Sequence, residues 1–172
     1  MMRRAQPWLG TMVDITIGDA LDEAHLHAAF DAAFAAVARV HRLMSFHEPS
    51  SDVSRVNRAG VGVSVDVDAS TAEVIRCALD LARQSGGIFD IACADRLVEW
   101  GYLPSPGKLP THASSIDMIV PGEDGRMAKR REGWIDLGGI AKGYAVDAAV
   151  AALQTKGVQS ACVNAGGDLR VL

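Results

Sequence analysis

Between Leu21 and Met44 the apolar residues Leu26, Phe30, Phe34, Val37, Val40 and Met44 recur at helical spacing. That spacing predicts one long amphipathic helix, with a stripe that has to be buried against other elements. Ahead of it, Thr11 to Ile17 alternates apolar and polar residues, as a half-buried strand does. Behind it, Ser45 to Gly60 reads as polar and irregular, and Val61 to Val67 as strand-like. Ser70-Thr71-Ala72-Glu73 fits a capping box opening a helix that Gly86-Gly87 ends. Leu103 to Ala113 holds three prolines and a glycine and reads as a surface loop. Short strands are expected near Ile116–Val120 and Arg126–Arg130, with another ending at Asp136. A helix to about Lys156 follows, then a strand Val158–Val163 and a turn through Ala165-Gly166-Gly167-Asp168. Strands and helices mix without regular βαβ alternation, which predicts an α+β fold, a mixed or antiparallel sheet with packed helices. The chain closes on a strand just beginning at Leu169, so a missing C-terminal part is expected.

The 172 residues are 49% hydrophobic, enough for one substantial core, and one domain spanning 1–172 is expected. Seventeen basic against 21 acidic residues gives −4, with no basic run and 5% aromatics, so nucleic-acid binding has little support. Cys77, Cys93 and Cys162 are odd in number and widely spaced, which predicts buried free thiols rather than disulfides or zinc ligands. No apolar run approaches a membrane span, and Met1 to Leu9 lacks an export signal, so a cytoplasmic location is expected.

The segment from Ile135 to Ala149 turns through Gly138 and Gly139 into a helix with Lys142 in its first turn. It fits neither a Walker A motif nor a G-x-G-x-x-G fingerprint. Two readings stand evenly: a phosphate cradle of helix N–H groups and a lysine, or a glycine turn whose lysine points to water. Phe46, amid Ser45 to Asn57, could stack on a flat ring, although alone that stretch is an ordinary capped loop. Gly86 to Asp90 could meet a ligand's polar edge, and alone it is a helix C-cap. Asn164 to Asp168 is equally a ligand-presenting turn and a plain hairpin. The five histidines show no metal-like spacing and read as structural or solvent-facing.

In order and spacing, Leu9-Gly10-Thr11, Met44-Ser45-Phe46, Ser51 to Asn57, Gly87 to Asp90, Asp136 to Asp147 and Asn164 to Asp168 together resemble the FAD:protein FMN transferase (ApbE) family. The resemblance runs from Leu9 to Leu172 and implies an ApbE-like, T-fold-related domain, truncated at its C-terminus. It implies FAD as substrate, Mg²⁺ as metal, and an acceptor protein whose Thr or Ser hydroxyl is flavinylated as AMP leaves. Leu9 takes the place of a family methionine beside the flavin, and Phe46 that of an aromatic stacked on its ring. Gly87, Ile88 and Phe89 match backbone lining the FAD site, with Asp90 adjoining. Asp136 matches an FAD-contacting acid, Lys142 a position near the cofactor, and Gly139 a metal-contacting position that offers only a backbone carbonyl. The family's main metal ligands fall beyond Leu172, and no catalytic residue is assigned. A non-catalytic FAD-binding protein and an FAD pyrophosphatase are the alternatives.

Overall fold

The computed structural model describes residues 1–172, apart from the side chain of Asp124. In chain order the elements are β1 Met2–Trp8, β2 Thr11–Ile17, α1 Glu23–Met44, α2 Asp52–Arg58, β3 Ser64–Asp66 and α3 Ala69–Gln84. Then come α4 Ala94–Glu99, α5 Ser115–Met118, β4 Ile119–Pro121, β5 Arg126–Lys129, α6 Ala141–Thr155, β6 Ala161–Ala165 and β7 Asp168–Val171. They form two compact units, Met1–His41 with Ala141–Leu172, and Arg42–Ile140.

The first unit is built on a four-stranded antiparallel sheet in the order β1-β2-β6-β7. The alternation in β2 sets its register: Val13, Ile15 and Ile17 lie opposite Ala165, Val163 and Ala161, and all six are buried. The stripe expected on α1 is buried through Phe30, Phe34 and Val37, each contributing about 1.5–3 kcal/mol on leaving water. α6 packs on β6 and β7 through its buried face, which includes Ala145, Ala149 and Leu153. β1 carries no fully buried side chain and is tied to β2 by Arg3, whose guanidinium lies 2.6 Å from Asp14. The chain enters β7 through Gly166 and Gly167, both at positive φ, a two-residue hairpin turn. A Cβ on Gly166 would lie 2.7 Å from Thr11 Oγ1, so only glycine fits there.

The second unit holds a small antiparallel sheet, β3-β5-β4, with α2 to α5. Four expectations are corrected here. Ser45 to Gly60 is not irregular, because it contains α2, capped by Ser51, whose Oγ accepts Ser54 N–H at 3.0 Å. Its buried positions are largely polar, so no apolar period marks it: Asp52 accepts from Thr71 Oγ1 at 2.8 Å and from the Asp68 N–H at 2.9 Å. α3 opens two residues earlier than the capping-box reading, with Asp68 Oδ1 accepting Ser70 N–H at 2.9 Å. No strand ends at Asp136, since the backbone of Ile135 pairs with the Asn57 side chain instead of with a strand. The thiols are free, but Cys77 lies on the outer face of α3 and is exposed, not buried.

Lys129 of β5 is buried, and its ammonium donates to the carbonyls of Asn57 at 3.0 Å and Gly133 at 3.3 Å. Burial pushes its pKa below the ordinary lysine value, and nearby Glu132 partly opposes that shift.

Candidate functional site

Within the second unit, α3 stops because Gly86 and Gly87 turn into positive φ, with Gly87 N–H donating to the Ala82 carbonyl at 2.9 Å. The chain then projects Ile88 outward, 93% exposed, while Ser85 Oγ accepts the N–H of Phe89 at 3.0 Å. So exposed an aliphatic residue on a glycine-flanked turn is available to meet an apolar ligand surface. Asp90 is already engaged: Oδ1 accepts Ala92 N–H at 2.9 Å, and both its oxygens take Ser115 N–H at 3.1 and 3.2 Å. Its carboxylate thus shapes the backbone beside Phe89.

Asp136 is brought against this segment, with its N–H donating to the Ile91 carbonyl at 2.8 Å. Its Oδ2 accepts Gly138 N–H at 3.1 Å, closing a tight turn in which a Cβ on Gly138 would lie 2.8 Å from that oxygen. A Cβ on Gly139 would sit 3.4 Å from the Phe89 ring. The fold therefore gathers Phe89, Asp136, Gly138 and Gly139 in one place, as the sequence segments could not reveal separately. Cys93 lies among these acids, and its thiol is pushed up by burial first, then by Asp136, Asp90 and Asp95.

Phe46 is 8% exposed and lines a pocket of about 270 Å³ with His47, Arg58 and the segment 104–106. Its backbone is fixed by Ser54 Oγ, which donates to the Phe46 carbonyl at 3.3 Å.

In the first unit, Leu9 and Gly10 make the two-residue turn of the β1–β2 hairpin, both at positive φ. Leu9, at φ 56°, is among the described residues the one non-glycine at positive φ, and a Cβ in that region costs about 1–2 kcal/mol. It lines an open cleft with Trp8, Met12 and His41, where the Trp8 and His41 rings lie 5.6 Å apart. Lys142 is the second residue of α6, as expected, and its ammonium lies 3.7 Å from Asp168 Oδ2 at the start of β7.

Among the described residues, no group of three His, Cys, Asp or Glu side chains could hold a metal ion. The Gly139 carbonyl would be a single oxygen ligand, and Mg²⁺ needs near-octahedral coordination. Because Mg²⁺ keeps several waters and also takes substrate phosphate oxygens, that carbonyl would be one ligand of several.

Sequence reasoning did not find the pairing of His112 with Asp95, where Nδ1 lies 2.7 Å from Oδ2. The two residues are seventeen positions apart, with no local pattern joining them.

The ApbE family model matches residues 9–172. The FAD:protein FMN transferase of Treponema pallidum (strain Nichols) is 26% identical over 184 residues, covering 98% of this chain and 51% of that protein. That of Rhodobacter capsulatus is 29% identical, covering 95% of this chain and 33% of that protein. The chain thus spans about half the length, or less, of these curated relatives. A crystal structure of the ApbE protein from Thermotoga maritima superposes with a TM-score of 0.85 at 26% identity, over 99% of this chain and 58% of that one. Flavin transferase ApbE from Vibrio cholerae gives 0.83 at 24% identity, over 99% of this chain and 58% of that one, a likeness of fold. The mixed α+β architecture expected from the sequence is the architecture of these structures.

Proposed function

Since the chain belongs to the ApbE family, we propose that it binds FAD and transfers the FMN part to a Thr or Ser hydroxyl of an acceptor protein. The observation that carries this reading is the family match over residues 9–172, which includes the Gly138–Gly139 turn running into α6. The assignment of residues 1–172 to one flavin transferase domain belongs to the same proposal.

In the proposed reaction the acceptor oxygen attacks the phosphorus of the FMN moiety. The bond from that phosphorus to the AMP oxygen breaks, AMP leaves, and the hydroxyl gives up its proton. Charge builds on the phosphoryl oxygens, and fixed donors aimed at them lower the barrier. In the first unit Lys142 supplies such a cation, at a helix start whose N–H groups favour anions, and Leu9 supplies apolar contact to the flavin. In the second unit Phe46 offers a ring face to stack on, and Ile88 an apolar surface. There too, Gly87, Phe89 and Asp136 meet the cofactor's polar groups, and Asp90 holds the backbone that carries them. Mg²⁺ belongs to the proposal as a charge-neutralising ion on the pyrophosphate. Gly139 would offer that ion a backbone carbonyl oxygen, and the described residues hold no group of three His, Cys, Asp or Glu side chains that could ligate it. No helix among the described residues is long and apolar enough to cross a membrane.

The test is to incubate the chain with FAD and Mg²⁺, with and without an acceptor protein, and to measure AMP and protein-bound flavin. AMP released together with a fluorescent acceptor band is the expected result. AMP without acceptor would replace transfer by hydrolysis, and flavin binding with no AMP in either tube would reduce the chain to a flavin binder.

A further inference from the structure

Within the second unit, the loop Lys108–Ala113 and the neighbouring Arg131 and Glu132 enclose a cleft of about 510 Å³. That volume falls in the range of about 300–1,000 Å³ typical of small-molecule sites. None of the residues proposed to meet FAD lines it.

Its chemistry is that of an anion site. Lys108 and Arg131 are exposed and make no ion pair among the described residues. Thr111 adds a hydroxyl donor, and Glu132 is the one acid among the lining residues. His112 is held by Asp95, which is buried, accepts Arg96 N–H on Oδ1 at 2.8 Å, and faces the imidazole with Oδ2. An ionised carboxylate only accepts, so Nδ1 carries the ring proton and Nε2 remains for a ligand. Asp95 lies on Nδ1 of that ring, and the charged groups that line the cleft with it are Lys108, Arg131 and Glu132. The wall is anchored as well as charged: Asp90 takes the N–H of Ser115 while Asp95 takes His112, fastening the end of the loop to the 90–95 segment.

We infer that this cleft binds a phosphate-bearing small molecule, with Lys108 and Arg131 on its oxygens and His112 presented to it by Asp95. The Arg131 fork can take two oxygens at once, and Lys108 acts as a point charge.

The experiment is calorimetric titration of the full chain with sodium pyrophosphate, and separately with AMP, against chloride at matched ionic strength. Saturable binding is expected, weakened about tenfold by Lys108→Ala and by Arg131→Ala, as loss of a charge-assisted hydrogen bond implies. Both side chains are exposed, and a thermal melt checks that the variants fold. Binding of pyrophosphate would assign the site to free phosphates, and binding of AMP alone to a nucleotide phosphate. Heat lost through Lys142→Ala belongs to the proposed FAD contacts, and the cleft's share is the part that survives this variant and is lost through Lys108→Ala and Arg131→Ala. No saturable heat with either probe, or loss through Lys142→Ala with none through the Lys108 and Arg131 variants, would overturn the inference while leaving flavin binding to be judged on its own.

Discussion

Asn57 pairs with Ile135 as a strand would: its Nδ2 donates to the Ile135 carbonyl at 2.9 Å, and its Oδ1 accepts the Ile135 N–H at 2.8 Å. All these groups are buried, and the residue immediately after Ile135 is Asp136. One side chain from α2 thus fixes the backbone that presents a proposed FAD contact.

Asn57→Ala strips both hydrogen bonds and leaves two buried backbone groups unsatisfied. A loss of about 2–4 kcal/mol in unfolding free energy is expected. Urea denaturation measures it, and hydrogen exchange at the Ile135 N–H should accelerate well beyond that at Val13 in β2. Equal protection at both sites would sink the role assigned to Asn57.

Leu9→Gly relieves left-handed strain worth about 1–2 kcal/mol, against about 0.5–1 kcal/mol of added chain entropy when unfolded. Stability should hold or rise by up to about 1.5 kcal/mol, while riboflavin binds more weakly. A variant that is both less stable and unchanged in riboflavin affinity would count against a ligand role for this strained residue. Thermal melts and fluorescence titration supply the two readings.

Lys142→Ala should weaken FAD about tenfold, as loss of one charge-assisted contact implies, and leave riboflavin unchanged. Titration of both ligands by flavin fluorescence quenching makes the comparison. Equal losses for the two would place the lysine's effect on the ring or on the fold, not on phosphate.

Cys93 and Cys77 should differ in reactivity. The Cys93 thiol is raised by burial first, then by Asp136, Asp90 and Asp95, and it is half-buried while Cys77 is exposed, so it reacts more slowly. Iodoacetamide followed by peptide mass mapping should label Cys77 first. The sign carries over to stability: the fold holds the Cys93 proton more tightly than the unfolded chain does. That contribution is therefore complete below pH 9.0 and declines as pH climbs above it. Asp136→Asn, by removing the larger of the carboxylate effects, should speed Cys93 labelling.

The sequence made legible whatever is written in local periodicity. β2 alternates, α1 carries its stripe, Gly86-Gly87 stops α3, and Gly166-Gly167 turns β6 into β7. β1 was missed because its residues are polar or only half-buried, so its sole signal is pairing with β2. α2 was missed because it buries Asp52, Ser54 and Asn57, whose burial rests on hydrogen bonds that no hydropathy period records. The strand expected to end at Asp136 failed for the matching reason, its partner being a side chain 78 positions away. At the candidate site the segments could be named in advance, but the closeness of Phe89 to Gly139 is a product of the fold alone.

Lys142 already has a carboxylate beside it, at 3.7 Å in Asp168, with both side chains partly exposed. A pair of that kind contributes about 0–1 kcal/mol. An arriving phosphate would not meet a bare cation. It would take over a lysine whose rotamers are already narrowed, and displace a weaker anion in doing so. The binding strength drawn from Lys142 is then the difference between two anions competing for one cation, a swap that the hairpin keeps inexpensive by holding Asp168 at the surface.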